Sequence, residues 1–154
     1  MKLTDYLKLD WIEFDLHPKD KRDVLQQLVD RLHATGDVRA KKQLMEKLWE
    51  REQLMSTGIG SGIAIPHATS EDVSGILVGL GRVPGGVEFA ALDEQPVYLV
   101  FLLVAPLDAR GQHVKLLARI SRMVKQAKLV ERLRDAGSAE QMFRVVADAE
   151  EETT

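Results

Sequence analysis

The run Val97-Tyr98-Leu99-Val100-Phe101-Leu102-Leu103-Val104-Ala105 carries no charged side chain. A strand with one wet face would alternate apolar and polar residues. A near-continuous Val- and Leu-rich run fits a strand covered on both faces, which demands layers of other elements above and below it. The run is also too short to cross a bilayer. Candidates for the covering layers lie on either side. Val24, Leu25, Leu28 and Leu32 repeat at helical spacing and Gly36 gives a stop just beyond; Leu44, Met45, Leu48 and Trp49 repeat the pattern and end near Arg51-Glu52. A helix is expected from about Gln112 to Gln126, with Leu117, Ile120 and Val124 inward and Lys115, Arg119 and Arg122 away from that stripe. A short helix around Leu129 to Leu133 follows, ending near Gly137. Ser138 and Gln141 then have the form of a capping box opening a last helix through Val146.

Two further strands are expected. Ile63 to Ile65 is short and apolar, and Ile76, Val78 and Leu80 alternate with smaller residues until Pro84-Gly85-Gly86 closes the strand with a turn. Strands interspersed with helices argue for an α/β layer fold. The length of 154 residues suits one domain spanning 1–154, with 148–154 a frayed acidic tail. The net charge of −3 offers no basic field for nucleic acid, and the absence of cysteine removes disulfides and thiolate metal sites. The opening residues hold no apolar run that could serve as a signal peptide, so a cytoplasmic protein with no membrane insertion is expected.

The chemistry concentrates in Ser56-Thr57-Gly58-Ile59-Gly60-Ser61-Gly62-Ile63-Ala64-Ile65-Pro66-His67-Ala68. Pro66 donates no amide hydrogen and biases Ile65 toward extended geometry, so it ends the strand and delivers His67 at the rim. A neutral imidazole is a nucleophile near physiological pH, and glycines without Cβ let backbone amides approach an anion. His67 is therefore a candidate phosphoryl acceptor, against the plainer reading of a histidine capping a strand end. His113 shares a helix face with Leu117 and Ile120 at the start of that helix, where the dipole favours a neutral ring; periodicity alone favours a buried structural histidine. Arg51 stands a few residues ahead of the glycine loop, placed either to grip phosphate oxygens or to shield a helix end. Ser56 and Thr57 could bond a phosphate or organise the turn. His17 and His33 read as surface histidines. The glycines open no helix and no Gly-Lys-Ser/Thr loop exists, so a nucleotide is not expected as the phosphate source. No metal site or cofactor motif is evident.

Thr57-Gly58-Ile59-Gly60-x-Gly62-Ile63-Ala64-Ile65-Pro66-His67 resembles the active-site signature of the fructose/mannitol-type (type 2) enzyme IIA proteins of the phosphoenolpyruvate-dependent phosphotransferase system. Leu48-x-x-Arg51-Glu52-x-x-x-Ser56-Thr57 resembles the arginine-bearing segment of that family, and Gln95-Pro96-Val97-Tyr98-Leu99-Val100-Phe101 with His113-x-x-Leu116-Leu117 its later strand and second histidine. The likeness runs in order from Met1 to about Ala147. It implies a mixed sheet packed between helices, and a phosphohistidine carrier that takes a phosphoryl group from an HPr-like protein on His67. By the same resemblance His113 stabilises the transferring group, Arg51 contacts phosphate, and Ser56 and Thr57 are candidate substrate-binding residues. No cofactor is implied. The onward partner is either a IIB domain for a fructose- or mannitol-type sugar or a regulatory target such as a sensor kinase or ion transporter. The segment Val130-x-x-Leu133-Arg134-x-Ala136 looks more like the nitrogen-regulatory branch, whereas Ala68-Thr69-Ser70 departs from the glycine and basic residue often found there in that branch. A non-catalytic interaction module is the third possibility. The partner is expected to dock over an apolar rim around Ile59 and Ile63.

Overall fold

The computed structural model describes residues 2–153. Six strands form one mixed sheet, β1 (Leu7–Glu13), β2 (Gly58–Gly60), β3 (Ile63–Ala64), β4 (His67–Thr69), β5 (Leu77–Val87) and β6 (Val97–Ala105). Their order is β1-β5-β6-β3-β2, with β4 also paired to β6. β1 runs parallel to β5, β5 antiparallel to β6, and β3 and β4 parallel to β6. Five helices cover the sheet: α1 (Lys21–Ala34), α2 (Lys41–Leu54), α3 (Arg110–Met123), α4 (Ala127–Asp135) and α5 (Ala139–Thr153). This is the single-domain mixed α/β architecture expected.

β6 is buried on both faces, and its side chains alternate between two cores. Leu99, Phe101, Leu103 and Ala105 join Leu116 and Ile120 of α3, Leu133 of α4 and Met142 and Val146 of α5. Val100, Leu102 and Val104 join Leu25, Leu28 and Leu32 of α1 and Leu44 and Leu48 of α2. The apolar run thus reads as it must for a strand between two helical layers.

Local signals explain the helix ends. Asp20 caps α1 by accepting from the Asp23 amide, and Gly36 lies just past that helix at φ +84°, a conformation that suits glycine. Ser138 Oγ accepts from the Gln141 amide as a capping box requires, but the Gln141 side chain reaches back to the Gly137 amide instead of the cap residue itself.

Four expectations are corrected. β5 passes through Pro84-Gly85-Gly86, whose extra residues form an irregularity in the β5–β6 ladder between Arg82 and Val87; the chain reverses only afterwards. On α3 the expected Ile120 and Val124 are buried but Leu117 is only half-buried, and the helix's buried residues are His113, Leu116, Ile120 and Met123. Three strands, β1, β2 and β4, had no counterpart among those expected from the sequence. The acidic tail is not frayed from Asp148: α5 continues to Thr153 and buries Glu150, whose carboxylate accepts from the amides of Leu3 and Thr4, from the Thr4 hydroxyl and from Arg119 Nε. Thr154 lies outside the described residues. Among the described residues no helix is long and apolar enough to cross a membrane.

Candidate active site

β3 and β4 are one strand line interrupted by a proline. Ile63 and Ala64 pair with Leu99 and Val100, and the same register resumes where His67 pairs with Leu103. Pro66 has no N–H to give the ladder, but its carbonyl accepts from the Leu103 amide at 3.0 Å and keeps the line straight. His67 thereby stands beside the carboxyl end of β6. The chain leaves β6 through a short 3₁₀ turn, Leu107–Ala109, and enters α3 at Arg110. A site outside the carboxyl ends of strands, next to a helix start, is where α/β sheets accommodate ligands.

His67 Nδ1 lies 2.8 Å from the Ile65 carbonyl oxygen. A carbonyl can only accept, so Nδ1 carries the proton and neutral His67 presents its lone pair on Nε2. His113, in the first turns of α3, places its ring centroid 5.6 Å from that of His67 at an interplanar angle of 70°. Among the described residues its Nδ1 is buried with no hydrogen-bond partner, which leaves Nε2 as the nitrogen able to meet a ligand. Burial pushes the His67 pKa below its ordinary 6.5, the Arg51 charge pushes the same way, and the Ile65 carbonyl and Glu52 charge push back without cancelling them. Burial and the neighbouring His67 likewise lower His113. Two neutral imidazoles therefore share the site at neutral pH.

The rings open into a cleft of about 520 Å³ lined also by Lys47, Glu50, Arg51, Leu54, Leu107 and Arg110. Three fixed cations against one carboxylate give the cleft a positive field suited to an anion. Arg51 donates from Nη1 to the Met55 carbonyl at 2.7 Å, shielding the end of α2 and leaving the rest of its planar fork to the cleft.

The structure gathers His67, His113 and Arg51 around this cleft, but not Ser56 or Thr57. Thr57 is buried and donates its hydroxyl to Glu52 Oε2 at 2.6 Å, while the Ser56 hydroxyl donates to the Phe89 carbonyl. Both organise the turn. The glycine loop is likewise no anion cradle: Gly60-Ser61-Gly62 turns β2 into β3, the Ser61 amide donates to Asp93, and Gly58 is required because a Cβ there would meet Ala91 Cβ at 2.8 Å. Of the expected apolar rim, Ile59 is exposed on β2 but does not line the cleft, and Ile63 is fully buried in the core; the exposed apolar side chains at the cleft are Leu54 and Leu107, at 84% and 39%. His17 is exposed and paired with Asp15, and neither it nor His33 reaches the cleft.

Lys47, Arg110 and Glu52 were not singled out by sequence. The signal for Glu52 was present: it lies four residues after Leu48 on the buried stripe of α2, a carboxylate where an apolar residue is due. Arg110 carried no such mark, because only the fold brings the start of α3 to the end of β4.

A family model described as "Phosphoenolpyruvate-dependent sugar phosphotransferase system, EIIA 2" matches residues 5–149. The chain belongs to this family. It is thus one of the system's phosphoryl-transfer components, in the fold the resemblance implied. It is 34% identical over 148 residues to a nitrogen regulatory protein of Bradyrhizobium diazoefficiens, covering 96% of this chain and 95% of that one. It is 32% identical over 146 residues to the fructose-specific EIIABC component of Bacillus subtilis, covering 95% of this chain but only 23% of that much longer protein. The crystal structure of the nitrogen regulatory protein IIA-Ntr from Neisseria meningitidis superposes with a TM-score of 0.86 at 30% identity, covering 92% of this chain and 97% of that one.

Proposed function

We propose that this EIIA protein is a phosphohistidine carrier in which His67 Nε2 takes a phosphoryl group from the phosphohistidine of an HPr-like donor. What supports the reading is the tautomer: the Ile65 carbonyl occupies Nδ1 and leaves Nε2 as the free nucleophile beside the cationic cleft. The phosphorus–nitrogen bond to the donor ring breaks as the bond to Nε2 forms. Such transfers need positioning and charge stabilisation more than covalent assistance. Arg51 is suited to clamp the equatorial oxygens with its fork, His113 to donate from Nε2, and Lys47 and Arg110 to supply field. Ser56 and Thr57 act on this reading through the turn, not by touching phosphate.

Downstream, we favour a regulatory role, with phosphorylated and free forms meeting a target such as a sensor kinase or transporter differently. The similarity to nitrogen regulatory proteins supports it. A transport role, with a fructose-type IIB domain as acceptor, is supported by the similarity to the fructose-specific component.

The test is labelling from phosphoenolpyruvate through purified enzyme I and HPr. Wild type should take acid-labile, base-stable label and His67→Ala none; equal labelling of both proteins would remove His67 from the acceptor role. Chasing the label with a fructose-type IIB separates the downstream roles.

A further inference from the structure

Glu52 is the most deeply buried carboxylate beside the site, with a side chain excluded from solvent. Burying a charge is costly unless it is paired and hydrogen-bonded. Glu52 meets that condition with groups from two other segments. Lys21 Nζ at the start of α1 lies 3.2 Å from Oε1, and Thr57 donates its amide to Oε1 at 3.0 Å and its hydroxyl to Oε2. None of these groups lines the cleft, and the chemistry above does not use them.

The bonds continue in series toward the nucleophile. The Thr57 carbonyl accepts from the Ile65 amide at 3.0 Å, and the Ile65 carbonyl accepts from His67 Nδ1 at 2.8 Å. Because residue 66 is proline, the peptide joining it to Ile65 has no N–H with which to anchor itself. Its orientation rests on two tethers: the Pro66 carbonyl on Leu103 and the Ile65 amide on Thr57. The second tether ends at Glu52.

We propose that Glu52 is a positioning residue for phosphoryl transfer: by fixing Thr57 it holds the Ile65 carbonyl that sets the His67 tautomer and so presents Nε2. The proposal deepens the phosphocarrier reading of His67 and rests on it. It also accounts for a carboxylate at a helical position that packing alone would fill with an apolar side chain. The charged and titratable groups around the ring are Lys47, Glu50, Arg51 and Glu52 of α2 with Arg110 and His113 of α3. Of these only Glu52 is also bonded into the segment that holds the ring's partner.

The test compares full-length wild type with Glu52→Gln, which keeps shape and one acceptor, and Glu52→Ala, which keeps neither. Ring nitrogen NMR of His67 reads the tautomer, its titration reads the local charge, and transfer from phosphorylated HPr reads function. Wild type should hold the proton on Nδ1. The variants should populate the Nε2–H form, titrate at lower pH, and transfer on the order of tenfold more slowly at saturating donor with little change in KM. A residue that merely braced the fold would lower the melting temperature and leave the ring spectrum of the folded protein unchanged. If Glu52→Gln folds and His67 keeps its tautomer, the proposal is overturned even where the titration midpoint falls, because loss of a nearby charge lowers the midpoint by itself. A wild type that takes no label while its tautomer still depends on Glu52 would sink the acceptor role and sustain the coupling.

Discussion

The rings of His67 and His113 have centroids 5.6 Å apart, and protonating both would set two like charges against each other in a site where His113 is buried. The first consequence is kinetic. On the proposed reading only the neutral ring attacks, so the acid limb of the transfer rate should lie below the ordinary histidine pKa of about 6.5. A pH–rate profile with its acid limb at or above that value would contradict the burial of the pair. The second is thermodynamic. Groups whose folded pKa is lowered bind fewer protons folded than unfolded, so stability falls as pH drops through the unfolded pKa and continues falling until the folded one is reached. At neutral pH the pair costs nothing in this way.

At the scale of elements, α5 does more than cover the sheet. Glu150 ties it to the first turn of the chain and to Arg119 of α3. Glu150→Ala strands buried amides and Arg119 together, and should cost roughly 3 kcal/mol, read as a lower denaturant midpoint at unchanged slope. Burial pushes the Glu150 carboxyl up, but hydrogen bonds from Thr4, Arg119 and Leu3 prevail and hold it below its ordinary value. Its contribution is therefore present above the unfolded pKa and lost as pH falls through the folded one. The sequence could not disclose this clamp, since an acidic run at a chain end reads as solvated and the partners lie at the opposite end. β1 was illegible for another reason: a register irregularity between Leu7 and Ile12 leaves Leu9 41% exposed and breaks the two-residue period. The same kind of local break disguised Pro84-Gly85-Gly86 as a turn. Where period and packing agree, as along β6, α1 and α2, the elements were readable. His67, His113 and Arg51 were readable as a set only through the motif resemblance, because no local pattern says that α3 begins where β4 ends.

For the whole molecule, the two cores leave large apolar side chains where the carboxyl ends of β4 and β6 open. Leu54 and Leu107 flank the cleft, and Val114 is 64% exposed on α3 directly after His113. Apolar side chains around a charged centre suit a protein partner better than a small substrate. Leu54→Asp should raise the KM for phosphorylated HPr about tenfold or more while leaving folding and the rate at saturating donor near wild type. An unchanged KM would move the docking surface away from α2. Ile63→Asp would instead fail by unfolding, since its side chain lies wholly within the core.

On the proposed reading the Ile65 carbonyl has one more effect, on the form in which the phosphoryl group is held. A phosphoryl group on Nε2 of a ring that keeps its Nδ1 proton sits on a cationic imidazole, and the ring departs as the same neutral tautomer that arrived. Loading and unloading then require no proton to be fetched or disposed of, and the protein meets donor and acceptor with one unaltered hydrogen bond. A relay built this way takes up and releases no proton in either direction, and which way it runs is decided by its neighbours.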